Sequence, residues 1–154
     1  MYLYKYEVMP SQIEIIALSI KKVQARHHRT LDRRLGPLGI SLVQWNALRE
    51  IKRNPGVSAH ALSELTFNSD QAFGTLATRL IRLGLVIREP GKGRAIIHRL
   101  SPKGEKVCEA GQAVLLEVLK HSFAPLTASE RQDLQALLTK LLAHPVKALS
   151  KDAG

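Results

Sequence analysis

Cysteine and long apolar runs are scarce in this chain of 154 residues, and their scarcity excludes several classes of protein. The single cysteine, Cys108, can form no internal disulfide and cannot supply the two thiolates that common cysteine-based zinc sites need. No segment approaches the ~18 consecutive apolar residues that a membrane-spanning helix requires. The first residues also lack the basic start, apolar stretch and cleavage site of an export signal. These absences predict a cytoplasmic protein with no membrane partner.

Acidic residues are also few, with 13 Asp and Glu against 23 Lys and Arg and a net charge of +10. They are scattered and form no paired-carboxylate site, and the chain has no nucleophile elbow, phosphate-binding glycine loop or nicotinamide fingerprint. We therefore expect no catalytic residues, no cofactor and no enzymatic activity. A cation of this size is expected to associate with polyanions, of which nucleic acid is the commonest. The charge alone is equally compatible with a protein that is simply basic, so the arrangement of residues must decide.

Capping signals predict six helices. Three of the starts have the capping-box form, in which a hydroxyl caps an amide and the side chain three residues later reaches back. The others use a lone serine, an asparagine, or a serine followed by proline. The predicted starts lie at Ser11, Ser41, Ser58, Asn68, Ser101 and Thr127, and glycine or proline stops follow at Gly36, 54–56, Gly84, Pro125 and Pro145.

One segment departs from the helical spacing of apolar residues. Residues 85–89 and 94–100 are rich in β-branched side chains, and a turn of glycine and proline at 90–93 separates them. This pattern predicts a two-stranded hairpin. The expected fold is therefore mainly α with a small β-hairpin (α+β): four helices, the hairpin and two further helices.

Two short predicted helices at 58–84, broken at 66–68, have the layout of a helix-turn-helix. The apolar face of the second helix is predicted to pack in the core and comprises Phe73, Leu76, Ala77, Leu80 and Leu83. The opposite face, with the residue before the helix, gives the candidate DNA-binding residues Ser69, Gln71, Gly74, Thr75, Thr78, Arg79 and Arg82.

The chemistry of that polar face suits a DNA major groove. Glutamine and arginine can form paired hydrogen bonds to base edges, and threonine offers a hydroxyl to phosphate and a methyl group to thymine. In a helix interior, glycine is about 1 kcal/mol less favourable than alanine. A close approach of the backbone to DNA would explain why Gly74 is present despite this loss of stability. The alternative is a solvated polar face with an incidental glycine.

The predicted hairpin adds a basic turn beside this helix. Lys92 and Arg94 lie in or next to the turn, and Arg88 and Arg99 lie on the flanking strands. Such a loop can reach backbone phosphates or an adjacent minor groove, where arginine is favoured. We therefore add Lys92 and Arg94 to the candidate DNA-binding residues.

The stretch LIRLGLVIR at 80–88, the basic turn, and RLSPKG at 99–104 together resemble the MarR family of transcriptional regulators. The likeness runs from about residue 11 to about residue 143 and includes SLVQWNAL at 41–48. It implies a winged helix-turn-helix DNA-binding domain at 38–100, dimerisation helices at 11–36 and 101–145, and flexible ends at 1–10 and 146–154.

The resemblance also implies a function. It predicts a homodimeric repressor that reads a pseudo-palindromic operator in double-stranded DNA and is released by a small aromatic anionic effector bound around His27 and Trp45. The family usually carries Asp-x-Arg in the wing, whereas this chain has Lys92-Gly93-Arg94. Arg94 is then the wing arginine implied to enter the minor groove, without the acid that would orient it. The rival interpretation is a winged-helix module that docks protein partners and binds DNA weakly or not at all.

The terminal helices give a physical reason for a dimer. They carry more apolar surface than a small winged domain could cover, above all the leucines at 134–142. Pairing with a second copy would bury that stripe and set two recognition helices about 34 Å apart, one turn of B-DNA. The alternative is that these helices fold back on their own domain.

The six histidines and Cys108 invite further hypotheses that the sequence does not favour. No two histidines have the i, i+4 spacing of a helical chelate, so surface histidines are favoured over a metal site. For Cys108, a packed and inert thiol is favoured over a redox-active one.

Overall fold

The computed structural model describes residues 9–146 as six α-helices and one β-hairpin, so the predicted mainly α class with a small hairpin is confirmed. The elements are α1 Gln12–Leu35, α2 Leu42–Arg53, α3 Ala59–Leu65, α4 Asp70–Arg82, β1 Val86–Pro90, β2 Ile96–Leu100, α5 Pro102–Phe123 and α6 Ala128–Ala143, with a short 3-10 helix at Gly36–Leu38. The termini predicted to be flexible, 1–10 and 146–154, lie almost wholly outside the described residues. No helix within 9–146 combines the length and the apolar character needed to cross a bilayer.

Local capping explains where most helices begin. Complete capping boxes, with both hydrogen bonds formed, start α1 at Ser11, α2 at Ser41 and α6 at Thr127. Ser58 caps α3 without a reciprocal partner, as predicted. Each box satisfies two backbone amides that the first turn of a helix would otherwise leave unpaired.

The predicted cap of α4 is wrong by one residue. The side-chain oxygen of Ser69, and not Asn68, accepts the hydrogen bond from the Ala72 amide. The Asn68 side chain instead donates to the carbonyl and hydroxyl oxygens of Thr66, at 3.2 and 3.0 Å. Asn68 is thus used to close the turn before the helix, and α4 begins at Asp70.

The chain divides into two compact units at the bond between Val118 and Leu119. The core of the first unit contains the apolar faces of α2, α3 and α4 together with side chains from the hairpin and α5. At its centre the indole of Trp45 is fully buried and donates a hydrogen bond to the carbonyl of Cys108, 3.0 Å away. Gly111 lies so close to the Trp45 ring that a β-carbon there would collide with it. This contact holds α5 against α2.

The predicted core face of α4 is correct except at its last member. Phe73, Ala77 and Leu80 are buried and Leu76 is half-buried, whereas Leu83 is 38% exposed. Leu83 is the C-cap residue, one position beyond the last residue of α4, Arg82.

The hairpin is a two-stranded antiparallel sheet in which Val86 lies opposite Leu100 and Arg88 opposite His98. The second strand begins at Ile96, two residues later than predicted. The backbone amide of Gly91 donates to the carbonyl of Ala95 at 2.7 Å, and this bond closes the turn before the strand pairs. Arg94 therefore lies in the turn.

Apolar stripes on the first and last helices are exposed in the single chain. On α1 of the first unit, Ile13, Ile16, Ile20 and Val23 are between 45% and 78% exposed. In the second unit, which includes α6, the exposed apolar side chains are Leu137, Leu138, Leu141 and Leu142. Contiguous apolar surface of this kind is unusual for a monomer.

Candidate nucleic-acid interface

The helix-turn-helix formed by α3 and α4 presents one face of α4 to solvent. Phe73, Ala77 and Leu80 are each at most 1% exposed, so their burial fixes the rotation of the helix. Side chains on the opposite face must then point outward, because an α-helix has 3.6 residues per turn. Ser69 and the six polar-face residues from Gln71 to Arg82 are all exposed.

Those six helix residues line a single open groove between α4 and the hairpin. The groove has a volume of about 700 Å³ and is lined by Gln71, Gly74, Thr75, Thr78, Arg79, Arg82 and Arg88. Ser69 at the start of α4, and Lys92 and Arg94 in the hairpin turn, are exposed but do not line it. The structure thus gathers six of the nine candidate residues in one concavity.

Arg88 is the groove residue that was not among the sequence candidates. It lies on β1 opposite His98, and its side chain lines the groove beside α4. The signal that could have found it is strand alternation. Val86, two residues earlier, is buried, and side chains two apart on a strand point to the same face.

The groove carries a net positive charge that acidic neighbours do not offset. Within the described chain, Arg79, Arg82 and Arg88 have no carboxylate within ion-pair distance, and no acid lines the groove. Arg99 on β2 differs, because its guanidinium forms an ion pair with Glu89 at 2.6 Å. Hydrogen bonding in this pair raises the pKa of Arg99 and lowers that of Glu89. The three arginines that line the groove are therefore available to an anionic partner, whereas Arg99 is already paired.

The two threonines of the groove have already used their hydroxyl protons. The hydroxyl of Thr75 donates to the carbonyl of Gln71 at 3.2 Å, and that of Thr78 donates to the carbonyl of Gly74 at 2.9 Å. Each threonine is left with hydroxyl lone pairs and a methyl group to offer a ligand. The two threonines can therefore accept hydrogen bonds and make apolar contacts. Both interactions suit base edges better than phosphate oxygens.

Gly74 is not required by the packing of the protein. A β-carbon built at this position meets no atom within 4 Å. The absence of a side chain therefore leaves open space on the surface of α4, at the centre of the groove-lining residues.

A family model described as MarR family matches residues 38–95, which include α2, α3, α4 and β1. Over this segment the chain is similar to the MarR family. In overall structure it is similar to a cysteine-to-serine mutant of MarR from E. coli complexed with operator DNA, with a TM-score of 0.77 and 27% identity over 87% of this chain and 99% of that one. It is also similar to a probable transcriptional regulator from Pseudomonas aeruginosa, with a TM-score of 0.73 and 28% identity over 85% and 97% of the two chains.

Among curated proteins, the chain is similar to the HTH-type transcriptional repressor Rv2887 of Mycobacterium tuberculosis. The two are 28% identical over 109 residues, which cover 70% of this chain and 78% of the relative. A crystal structure of Rv2887 in complex with salicylic acid matches with a TM-score of 0.67 and 25% identity over 88% and 98% of the chains.

The turn of the hairpin is built from the Lys92-Gly93-Arg94 segment. Gly93 has a φ of +65°, and the amide of Ala95 donates to the carbonyl of Lys92 at 3.3 Å. Both cationic side chains are exposed at the tip. Position 92 holds a lysine, so no acidic side chain stands there to pair with Arg94.

A hydrogen-bonded cluster joins α3 to the first turn of α4. His60 lies 2.9 Å from Asp70 through Nδ1 and 3.2 Å from Glu64 through Nε2, and Ser63 donates to Asp70 at 2.8 Å. The contact with Asp70 raises the pKa of His60. The Ser63 hydroxyl, followed by His60, lowers the pKa of Asp70. Sequence spacing gave no sign of this cluster, because its members come from two helices.

The residues predicted to bind an effector differ in accessibility. Trp45 is fully buried with its indole N–H committed to a backbone carbonyl, and His27 is half-buried. The guanidinium carbon of Arg49 lies 4.9 Å from the centroid of the Trp45 ring and covers one side of it.

Cys108 is buried and burial raises the pKa of its thiol, which suits a packed side chain. Within 9–146, no three His, Cys, Asp or Glu side chains are grouped so as to hold a metal ion.

Proposed function

We propose that this protein is a sequence-specific DNA-binding transcriptional regulator that acts as a homodimeric repressor. The observation that carries the proposal is the groove beside α4, with three unpaired arginines, no acid and a polar lining on an exposed helix of a winged domain. Its relatives support the assignment, since one is named a transcriptional repressor and another was crystallised with operator DNA.

The groove residues have distinct roles in this proposal. Gln71 and Arg79 read base edges through paired hydrogen bonds, while the methyl groups of Thr75 and Thr78 contact apolar base edges. The hydroxyl proton of Ser69 is free to reach a phosphate, because the Ser69 oxygen serves only as the acceptor of the cap. The remaining cations, Arg82, Arg88, Lys92 and Arg94, neutralise phosphates or enter the adjacent minor groove.

A second copy of the chain covers the exposed apolar stripes of the terminal helices in this proposal. Residues 11–36 and 101–145 then form the dimer, and 38–100 is the domain that reads DNA. The two-fold axis of the dimer requires a pseudo-palindromic operator, with half-sites about 10 base pairs apart. Release from DNA needs an effector with different affinities for two spacings of the winged domains.

The proposed effector is a small aromatic acid bound near His27 and Trp45. The salicylic acid complex of Rv2887 supports the chemical class. Because Arg49 covers the Trp45 ring, a bound carboxylate could pair with its guanidinium, whereas the buried indole shapes the pocket from behind. We further propose that the protein works in the cytoplasm, without catalytic activity.

Two variants test the DNA-binding proposal. Arg79→Ala should weaken binding by about 1–3 kcal/mol and relax the preference for one base pair, if the arginine contacts that base through two hydrogen bonds. Lys92→Ala should weaken binding to every sequence and reduce the salt slope of the binding constant by about one unit. The measurement is a titration of genomic fragments at several salt concentrations. If both variants match the wild type, or the wild type binds no duplex, a protein-docking module becomes the better assignment.

A further inference from the structure

The turn between α3 and α4 contains an aromatic residue in an unfavourable backbone conformation. Phe67 has a φ of +57° and is the only non-glycine residue within 9–146 with a positive φ. The amide of Asn68 donates to the carbonyl of Ser63 at 2.8 Å, and the amide of Phe67 donates to that of Glu64 at 3.1 Å. These two bonds form a Schellman motif, in which Phe67 occupies the left-handed position that usually holds glycine.

The side chain of Phe67 gives the fold no reason for this conformation, which the backbone hydrogen bonds of the turn impose. A bulky side chain is disfavoured in the left-handed region, where its β-carbon approaches the following carbonyl oxygen. The side chain of Phe67 is 96% exposed, so it gains almost no packing in the folded chain. A strained backbone that the surrounding hydrogen bonds enforce, and that carries an exposed aromatic ring, indicates a contact outside the chain.

The position of Phe67 favours DNA as the partner. Phe67 comes two residues before Ser69, which caps α4, and four before Gln71, the first residue of the groove. The turn is tied to α4 through the hydrogen bond from Ser63 to Asp70. Phe67 is therefore held at the end of α4 that begins the DNA-reading face.

The charges beside Phe67 indicate which part of DNA it meets. Glu64 and Asp70 flank the turn, and both contact the imidazole of His60, whose pKa they raise. The imidazole of His60 is committed to these two carboxylates, and no lysine or arginine lies between Glu64 and Asp70. The ring of Phe67 thus suits an uncharged, apolar surface, such as a deoxyribose face or the methyl group of thymine.

We propose that Phe67 is an apolar DNA contact, which packs on deoxyribose or a thymine methyl group at the margin of the groove that α4 enters. This inference rests on the proposed function. It adds to the polar readout by Gln71 and Arg79 a contact that carries no charge. The strain at this turn is then retained in the free protein because the ring is used only on DNA.

The test compares Phe67→Gly with Val43→Ala, a control at an exposed apolar residue of α2. Glycine relieves the left-handed strain, so the Tm should rise by about 2–4 °C. Loss of the apolar contact should weaken binding to a selected genomic duplex by about 10-fold. The salt slope should stay unchanged, because no phosphate contact is lost. Val43→Ala should leave the affinity unchanged, and Phe67→Leu should retain most of it.

The outcomes separate this inference from the function on which it rests. Wild-type affinity in Phe67→Gly, with the wild type binding its duplex, overturns the inference alone. A reduced salt slope or a lower Tm in that variant also overturns it, since the ring would then act through charge or through the fold. Failure of the wild type to bind any duplex overturns the proposed function and the inference together.

Discussion

The ring of His98 on β2 packs edge-on against the ring of Phe73 on α4, with centroids 5.7 Å apart and planes at 80°. His98 is 7% exposed, and neither of its ring nitrogens has a hydrogen-bond partner among the described residues. This contact links the base of the wing to the buried side of the helix that lines the groove. A titratable group therefore lies inside the interface that positions α4 against the hairpin.

Acid should weaken this interface through His98. Burial, together with the charge of Arg88 across the hairpin, lowers the pKa of His98 below the ordinary 6.5. As the pH falls below 6.5, the unfolded chain takes up the proton before the folded one does, so stability decreases until the pH reaches the lowered pKa. The Tm should fall in this window. His98→Phe and His98→Gln should both lose that dependence, and its persistence in both variants would assign the effect to other groups.

His60 should stabilise the fold at acidic pH and lose this contribution as the pH rises. Its pKa is raised, chiefly by the hydrogen bond with Asp70, so its stabilising contacts are complete below 6.5 and are lost as the pH rises through the raised pKa. His60→Gln should therefore have a lower Tm than the wild type at about pH 6, with a difference that narrows as the pH increases. Thermal melts across a pH series measure this. A difference that is independent of pH would show that the charge of His60 has no role.

Two glycines should respond in opposite ways to alanine. At Gly74 the β-carbon meets nothing, so Gly74→Ala should stabilise the fold by about 0.5–1 kcal/mol through helix propensity. It should also weaken DNA binding, because the methyl group keeps the backbone of α4 away from the groove. At Gly111 the β-carbon collides with Trp45, so Gly111→Ala should destabilise by about 1–3 kcal/mol. Chemical denaturation measures the change in stability of each variant, and DNA titration measures the change in affinity. Unchanged affinity in Gly74→Ala would contradict the proposed close approach.

Arg88 on β1 and Arg99 on β2 should differ in their effect on DNA binding. Arg88→Ala should reduce the salt slope by about one unit, because its charge is unpaired and lines the groove. The control is the double variant Glu89→Gln with Arg99→Gln, which removes an existing ion pair without changing the net charge. That variant should keep the wild-type slope. An equal reduction of the salt slope in Arg88→Ala and in the double variant would mean that the ion pair does not keep Arg99 from contacting DNA.

Much of the fold could be predicted from local patterns. Capping boxes at Ser11, Ser41 and Thr127 fix helix starts because both partners lie within three residues. The cap of α4 was misplaced by one residue, because the Asn68 amide is used by Thr66 in the preceding turn. Competition of this kind between short-range hydrogen bonds cannot be judged from residue types alone.

Of the residues that line the groove, the sequence predicted only those that lie on α4. The polar face of α4 follows from helical periodicity, so the six groove residues it contributes could be named in advance. Arg88 reaches the same groove from a strand, and Phe67 is distinguished by its backbone conformation. The place of Arg88 depends on how the hairpin packs against α4, and the left-handed conformation of Phe67 arises at a position where residue type favours glycine. The family prediction is confirmed by the match at 38–95.

We propose that the groove beside α4 reads duplex DNA in a dimer with two-fold symmetry. Sequencing the genomic fragments that the purified protein selects tests it most directly, with Arg79→Ala run in parallel. We expect a pseudo-palindromic motif with half-sites about 10 base pairs apart, and a relaxed base preference at one symmetric pair of positions in the variant. Fragments no more enriched than the input DNA, or the same motif at the same strength with both proteins, would contradict it.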